Sequence, residues 1–203
     1  MISKAQGRAI AGELSVRQEP RLSALERAML QWIIADPEEK VLDANIETGM
    51  MAEYLRRNMD CEVCGVSENM ENVRCARSRL RSCDIVYAPA GDIPWRTEQF
   101  DTVLYKLRQE EDEMLQRSLT EILRVLKPGG QLVLGLQCYP AAFQKLHEWL
   151  GGDLGDKRRF GHREIEAELK KLAYEEICWQ RTGPSTGVMI AWKHREQTPF
   201  ETE

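Results

Sequence analysis

The sequence has no long apolar run and no excess of basic residues. No stretch of its 203 residues approaches a membrane-spanning length, and 42% hydrophobic with 30% charged residues is ordinary for a globular chain. Residues 1–20 also lack the apolar segment and cleavage pattern of a signal peptide, so we expect a cytoplasmic protein. The net charge of −5 argues against general binding to nucleic acid or to an anionic membrane.

The six cysteines include one CxxC pair, Cys61 and Cys64, and no second pair to match it. A structural zinc site needs four converging ligands, and a redox CxxC stands at the start of a helix. The two residues between these cysteines are instead typical of a strand. We therefore predict no metal site, and reduced cysteines of which most are buried.

Apolar strands alternate with amphipathic helices, without repeats, low-complexity segments or obvious linkers. Strands are predicted at 40–44, 62–66, 84–88, 100–105 and 131–136, and a hairpin is predicted around "GPST" at 183–186. Helices are predicted at 20–35, 49–58, 110–126, 140–150 and 163–172, with one more ending near Ser82. "PGG" at 128–130 is expected to end the helix 110–126. This alternation predicts a mostly parallel α/β sheet that binds ligands beyond the carboxyl ends of its strands.

Four stretches lie in one register that is typical of a known family. They are "VLDANIETG" at 41–49, "VCGVSENMENVRCAR" at 63–77, "AGDIPWRTEQFDTVL" at 90–104 and "ILRVLKPGGQLVLG" at 122–135. The chain resembles the class I S-adenosylmethionine-dependent methyltransferases, especially the small-molecule type, and "RVLKPGG" is the most specific part of the match.

The resemblance covers residues 38–193 and implies a fold. That fold is a Rossmann-like three-layer sandwich with a seven-stranded, mostly parallel sheet of order 3-2-1-4-5-7-6, in which strand 7 is antiparallel. Residues 1–37 are then expected to form a helical segment that packs on this domain, and residues 194–203 a frayed polar tail.

The resemblance also implies S-adenosylmethionine as cofactor and assigns residues to it. Asp43 would anchor the turn near the amino group of the methionine part, with Ala44 in the same turn. Gly49 matches the last glycine of the family's G-x-G-x-G and is expected to serve helix–strand packing. Asp92 would contact the adenine amino group, and Ile93 would pack on the adenine ring. Neither catalytic residues nor the methyl acceptor can be assigned.

Part of the family's cofactor pocket is changed in this sequence. Asn45 and Glu47 replace the first two glycines, and a non-glycine residue costs about 1 to 3 kcal/mol there if φ must be positive. The charge of Glu47 would either repel the cofactor's carboxylate or pair with its sulfonium or amino group. Ser67 takes the place of the acid that binds the ribose, and Glu68 follows it on the opposite face of the strand.

The segment "YKLRQEEDEM" at 105–114 replaces the apolar segment that lines the family's acceptor pocket. Two interpretations remain open. Its acids fit a solvated helix start, where the helix dipole favours negative charge; these acids are Glu110, Glu111, Asp112 and Glu113. Alternatively, Tyr105 or Lys106 faces the cofactor.

Two functions also remain open. In the first, the chain is a methyltransferase for a small acceptor, a reaction that needs chiefly in-line positioning and a dry site. In the second, it no longer transfers methyl groups and acts as a binding or regulatory module, with a partner protein or as a homo-oligomer. A nicotinamide dehydrogenase fits less well, because it would need the same glycines and the same ribose-binding acid.

Overall fold

The computed structural model describes residues 22–33, 36–107, 112–137 and 160–195. The predicted helix 140–150 and most of the predicted tail lie outside these residues. Strands and helices alternate along the described chain. In order they are α1 (Ala24–Leu30), β1 (Lys40–Asp43), α2 (Met50–Asn58), β2 (Glu62–Ser67), α3 (Met70–Arg79), β3 (Ile85–Tyr87), β4 (Phe100–Leu107), α4 (Asp112–Val125), β5 (Leu126–Gln137), α5 (His162–Lys171), β6 (Tyr174–Arg181) and β7 (Thr186–Lys193).

The strands form one seven-stranded sheet of order β3-β2-β1-β4-β5-β7-β6. Neighbours from β3 to β5 are parallel, and β7 runs antiparallel to both β5 and β6. The predicted fold class and strand order are therefore confirmed. Because the chain order changes direction between β1 and β4, the crevice for a ligand opens at the carboxyl ends of these two strands.

Helices cover both faces of the sheet, which makes three layers. One buried cluster contains Met29, Met51 and Val73, from α1, α2 and α3 respectively. The other contains Leu119 from α4 and Ile165 from α5. Both faces are apolar, as expected for a parallel sheet that is buried on its two sides.

The first helix is shorter than the predicted 20–35. It begins after Ser23, whose Oγ accepts a hydrogen bond from the Glu26 N–H at 3.1 Å, while Glu26 Oε2 accepts from the Ser23 N–H at 2.8 Å. This reciprocal capping box satisfies two backbone donors and fixes the start of α1. The helix lies against β5 at Gly135, where a Cβ atom would stand 2.5 Å from the Met29 sulfur.

Helix α4 ends one residue before its predicted end at 126, and the "PGG" segment that follows lies within β5. The helix ends at Val125, and β5 already begins at Leu126. The carbonyl groups of Arg124 and Val125 accept hydrogen bonds from the backbone N–H groups of Glu98 and Gln99, at 3.0 and 2.8 Å. The segment before β4 thus satisfies carbonyls that would otherwise be unpaired at the helix end.

Candidate functional site

The turn after β1 is bound to both neighbouring strands. The Ala44 N–H donates to the Leu104 carbonyl on β4, and the Ile46 N–H donates to the Val66 carbonyl on β2, both at 2.8 Å. Gly65 makes the second contact possible, because a Cβ atom there would stand 2.7 Å from the Ile46 side chain. The turn therefore lies directly over the ends of the central strands.

Asn45 and Glu47 adopt ordinary backbone conformations. Neither is among the non-glycine residues with positive φ in the described chain. The backbone strain considered for these two positions is therefore absent. Asn45 also has a structural role, because its Nδ2 donates to the Lys106 carbonyl at 3.0 Å and joins the turn to the end of β4.

Gly49 is needed for its conformation and for its small size. It caps α2 with a φ of +77°, in the left-handed region that favours glycine. A Cβ atom would stand 3.1 Å from the Leu80 side chain and 3.2 Å from Ala76. The close neighbours are thus α3 and its end, which corrects the prediction of helix–strand packing.

A group of four charged residues, which we call the charged cluster, lies at the crevice between β1 and β4. Its members are Glu26, Asp43, Glu47 and Lys106. The Lys106 Nζ is 3.1 Å from Glu26 Oε1 and 3.1 Å from Glu47 Oε2. The side chains of Lys106 and Glu26 are 9% and 7% exposed, whereas that of Glu47 is 35% exposed. The cluster is thus buried on the side of α1 and accessible at Glu47.

Burial and mutual attraction shift the pKa values in this cluster. Burial raises the pKa of Asp43 to about 6, although Lys106 and the Asn45 N–H stabilise its ionised form. Burial alone would lower the pKa of Lys106, but the three carboxylates outweigh it and raise that pKa. Burial likewise opposes the ionisation of Glu26, yet Lys106 and Ser23 lower its pKa. When all four residues are ionised, the cluster carries one positive and three negative charges.

Lys106, rather than Tyr105, shares a face of the sheet with Asp43. Asp43 pairs in register with Leu104, and Lys106 lies two residues further along β4 on the same face. Tyr105 is 1% exposed and packs in the opposite core, together with Leu42. Among the acids that follow, Glu110 and Glu111 lie outside the described residues.

Ser67 stands at the carboxyl end of β2 and is 3% exposed. Its Oγ accepts a hydrogen bond from the Asn69 N–H at 3.3 Å, so the hydroxyl supports the turn into α3. Glu68 lies just beyond the strand and is exposed. The structure therefore brings Ser67 to the crevice edge and directs Glu68 towards solvent.

Asp92 and Ile93 lie in the segment between β3 and β4. Asp92 is exposed, whereas Ile93 is 3% exposed and belongs to the core on the side of α4. The Arg117 Nε on α4 donates to the Gly91 carbonyl at 2.9 Å. A surface depression of about 710 Å³ is lined by residues 93–99, and it adjoins this segment rather than the charged cluster.

Two further residues of α4 hold this segment. The Glu121 Oε2 accepts from the Ile93 N–H at 3.1 Å. Arg124 donates to the carbonyls of Ile93 and Trp95, at 2.9 and 2.8 Å, and forms an ion pair with Glu121 at 2.8 Å. The position of the segment is therefore set by α4 through its side chains.

Sequence reasoning missed Glu26, Glu121 and Arg124 as residues around the site. The only signal for Glu26 is "SALE" at 23–26, which has capping-box spacing but does not indicate a distant lysine. Lys106 was considered only as an alternative to Tyr105. Its signal is a charge within the otherwise apolar end of β4.

The cysteines of the CxxC pair are free and buried, and Cys64 lies in β2 as predicted. Burial raises the pKa of the Cys64 thiol to about 12. Cys75 and Cys178 are exposed.

In the described ranges, no three His, Cys, Asp or Glu side chains group in a way that could hold a metal ion. No helix in the described part of the chain combines the length and apolar character needed to cross a membrane.

A family model described as a methyltransferase domain matches residues 42–134, which run from β1 to β5 and include the turn after β1. Over this stretch, which is slightly less than half of the chain, the protein is similar to methyltransferase domains. The resemblance drawn from the four sequence stretches is thereby confirmed.

Two curated relatives of this chain carry named activities. The chain is 30% identical to phthiotriol/phenolphthiotriol dimycocerosates methyltransferase 1 of Mycobacterium ulcerans, over 64% of this chain and 49% of the relative. It is 31% identical to the demethylmenaquinone methyltransferase of Thermotoga maritima, over 53% of this chain and 48% of the relative. The chain spans about half the length of these curated relatives.

A solved structure with the same fold is that of the [4+2]-cyclase SpnF. Its TM-score is 0.69 at 18% sequence identity, and the match covers 94% of this chain and 92% of the cyclase. The likeness supports the fold alone. Since this neighbour is named for a cyclisation, the methyltransferase fold does not by itself define the reaction.

Proposed function

We propose that the chain binds S-adenosylmethionine and transfers its methyl group to a small acceptor. The observation that supports this function most directly is the charged cluster at the crevice between β1 and β4. The amino-acid end of the cofactor carries an ammonium and a carboxylate. Glu47 and Lys106 offer the complementary charges 3.1 Å apart at the accessible side of the cluster. The chemistry of the residues present therefore fits the group.

Different parts of the cofactor would be held by different strand ends. Asp43 and the turn of Ala44, Asn45 and Gly49 would lie at the methionine part. Ser67 would lie at the ribose, with Glu68 beside it.

Asp92 and Ile93 would lie at the adenine, on a segment whose position is set by Glu121 and Arg124. Tyr105 contributes from the opposite face by filling the core beneath the site.

When bound, S-adenosylmethionine supplies an electrophilic methyl group. The chain's own contribution is to orient the acceptor in line with that group and to keep water out. No side chain is assigned as a catalytic acid or base. Because the relatives are named for demethylmenaquinone and for phthiotriol/phenolphthiotriol dimycocerosates, we propose a small organic acceptor. We also propose a cytoplasmic location.

The second candidate is a binding or regulatory module without methyl transfer. It is favoured by Asn45, Glu47 and Ser67, which replace glycines and an acid of the family pattern. In this case the functional partner is another protein or a second copy of the chain.

Calorimetric titration with S-adenosylmethionine and S-adenosylhomocysteine tests the first function. We expect micromolar binding, which corresponds to about −8 kcal/mol. Asp92→Ala should weaken the affinity clearly, whereas Glu38→Ala, an exposed acid before β1, should leave it unchanged. Absence of heat and of a thermal shift at millimolar ligand would favour the second candidate. An unchanged affinity in Asp92→Ala would overturn the adenine assignment.

A further inference from the structure

The two carboxylates that hold Lys106 are not equivalent. Glu26 is fixed twice, because its Oε2 takes part in the capping box of α1 while its Oε1 contacts Lys106. Its side chain is 7% exposed. Glu47 lies in the turn after β1, and its side chain is 35% exposed. Glu47 is therefore the partner of Lys106 that a ligand from solvent can reach.

Separation of Glu47 from Lys106 would not leave the lysine alone. A buried ammonium that loses its only carboxylate is strongly destabilised, but Lys106 keeps Glu26 at 3.1 Å. It also keeps the attraction of Asp43, which contributes to its raised pKa. The ion pair between Glu47 and Lys106 can therefore open while the buried part of the cluster stays compensated.

The overall charge of the cluster limits which ligands can open this pair. Three carboxyl groups surround one ammonium, so a ligand that brings only a carboxylate would add to an existing excess of negative charge. A zwitterion adds no net charge. Its ammonium can pair with Glu47 while its carboxylate pairs with Lys106, so that one ion pair is exchanged for two.

We propose that Glu47 and Lys106 are specificity-determining residues that select ligands with an intact α-amino-acid end. This inference rests on the proposed function and goes beyond it. It gives Glu47 a recognition role at a position where a glycine was expected. Charge-assisted hydrogen bonds on both ends of the zwitterion provide the selectivity, and the one to Lys106 forms in a largely buried setting.

The test compares two ligands that share the thioether nucleoside and differ in the amino-acid end. S-adenosylhomocysteine has that end, and 5′-methylthioadenosine lacks it. Titration calorimetry gives the dissociation constant of 5′-methylthioadenosine divided by that of S-adenosylhomocysteine. This ratio is measured for the wild type, Glu47→Gln, Lys106→Met and the double variant. Each single variant should reduce this ratio by about tenfold or more, chiefly by weakening S-adenosylhomocysteine.

Matched controls are available at the opposite end of the sheet. Lys127→Met removes a half-exposed lysine that pairs with Asp101 at 2.8 Å, and Glu38→Gln removes an exposed carboxylate. Both should leave the ratio unchanged. If Lys106→Met fails to fold, Glu47→Gln still decides the question, because its side chain is accessible and keeps its shape.

The outcomes separate the two proposals. Binding of S-adenosylhomocysteine with an unchanged ratio in the folded variants would overturn this inference and leave the proposed function intact. Tighter binding of S-adenosylhomocysteine by Glu47→Gln would also overturn it, because Glu47 would then be an obstruction. If the wild type binds neither nucleoside, the proposed function fails and the inference fails with it.

Discussion

Replacing Asp43 with asparagine should change how the stability of the protein depends on pH. Asp43 is 1% exposed, and its pKa in the folded protein is raised from 3.8 to about 6. Its carboxyl group therefore binds a proton more tightly in the folded chain than in the unfolded chain. The resulting stabilisation is fully present below about pH 4 and is lost as the pH rises through about 6.

The size of the effect follows from the pKa difference. A shift from 3.8 to about 6 is roughly two pH units. At about 1.4 kcal/mol per unit, this corresponds to about 3 kcal/mol in the free energy of unfolding. This figure already includes the attraction of Lys106, which partly offsets the cost of burying the carboxylate. Asparagine keeps an oxygen that can accept from the Asn45 N–H but does not titrate.

Urea denaturation followed by tryptophan fluorescence, at unit steps from pH 4 to pH 8, measures the difference. The free energy of unfolding of Asp43→Asn minus that of the wild type should rise by about 2 kcal/mol over this range, because part of the effect already lies below pH 4, and level off above pH 7. Glu113→Gln, at an exposed position of α4, controls for the loss of one negative charge. Parallel curves for Asp43→Asn and the wild type, or a difference that falls with pH, would refute this reasoning.

Further predictions concern the turn after β1 and the segment before β4. Gly49→Ala should lower the free energy of unfolding by about 1 to 3 kcal/mol, because alanine is strained at a φ of +77°. Gly161→Ala, at a φ of −75°, adds the same methyl group without positive φ and is the control; it should cost clearly less in the same urea titration. Glu121→Ala should speed hydrogen exchange at the Ile93 amide, since the acceptor at 3.1 Å is removed. Equal exchange rates in this variant and in Glu113→Ala would show that Glu121 does not protect the amide.

The replacement of two motif glycines by Asn45 and Glu47 has a structural explanation. Asn45 joins β1 to β4 through the Lys106 carbonyl, and Glu47 completes the ion pair with the Lys106 side chain. Both residues thus make defined contacts to the end of β4, without positive φ. Gly49 is retained where positive φ and close packing coincide.

Local patterns in the sequence determined most of the fold. The apolar runs of β1, β2 and β4 and the amphipathic α4 are visible because side-chain periodicity reflects burial within one element. Their exact ends were less predictable. Helix α4 ends at Val125, within one residue of the prediction, but the partners of its last carbonyls, the distant backbone N–H groups of Glu98 and Gln99, are revealed by no local signal. The strand order came from the resemblance of four motifs, since pairing between strands is a long-range property.

The candidate site likewise contains residues that the sequence indicated and residues that only the tertiary structure brought together. Asp43 and Gly49 were identified from the sequence, because a strand, an acid and a helix-starting glycine lie within one short stretch. The charged cluster was decided only by tertiary structure. Glu26 and Lys106 are 80 residues apart and meet because α1 packs on β5 and β7, beside the end of β4. Their partnership depends on burial and on the balance of neighbouring charges, which arise only when the layers of the fold come together.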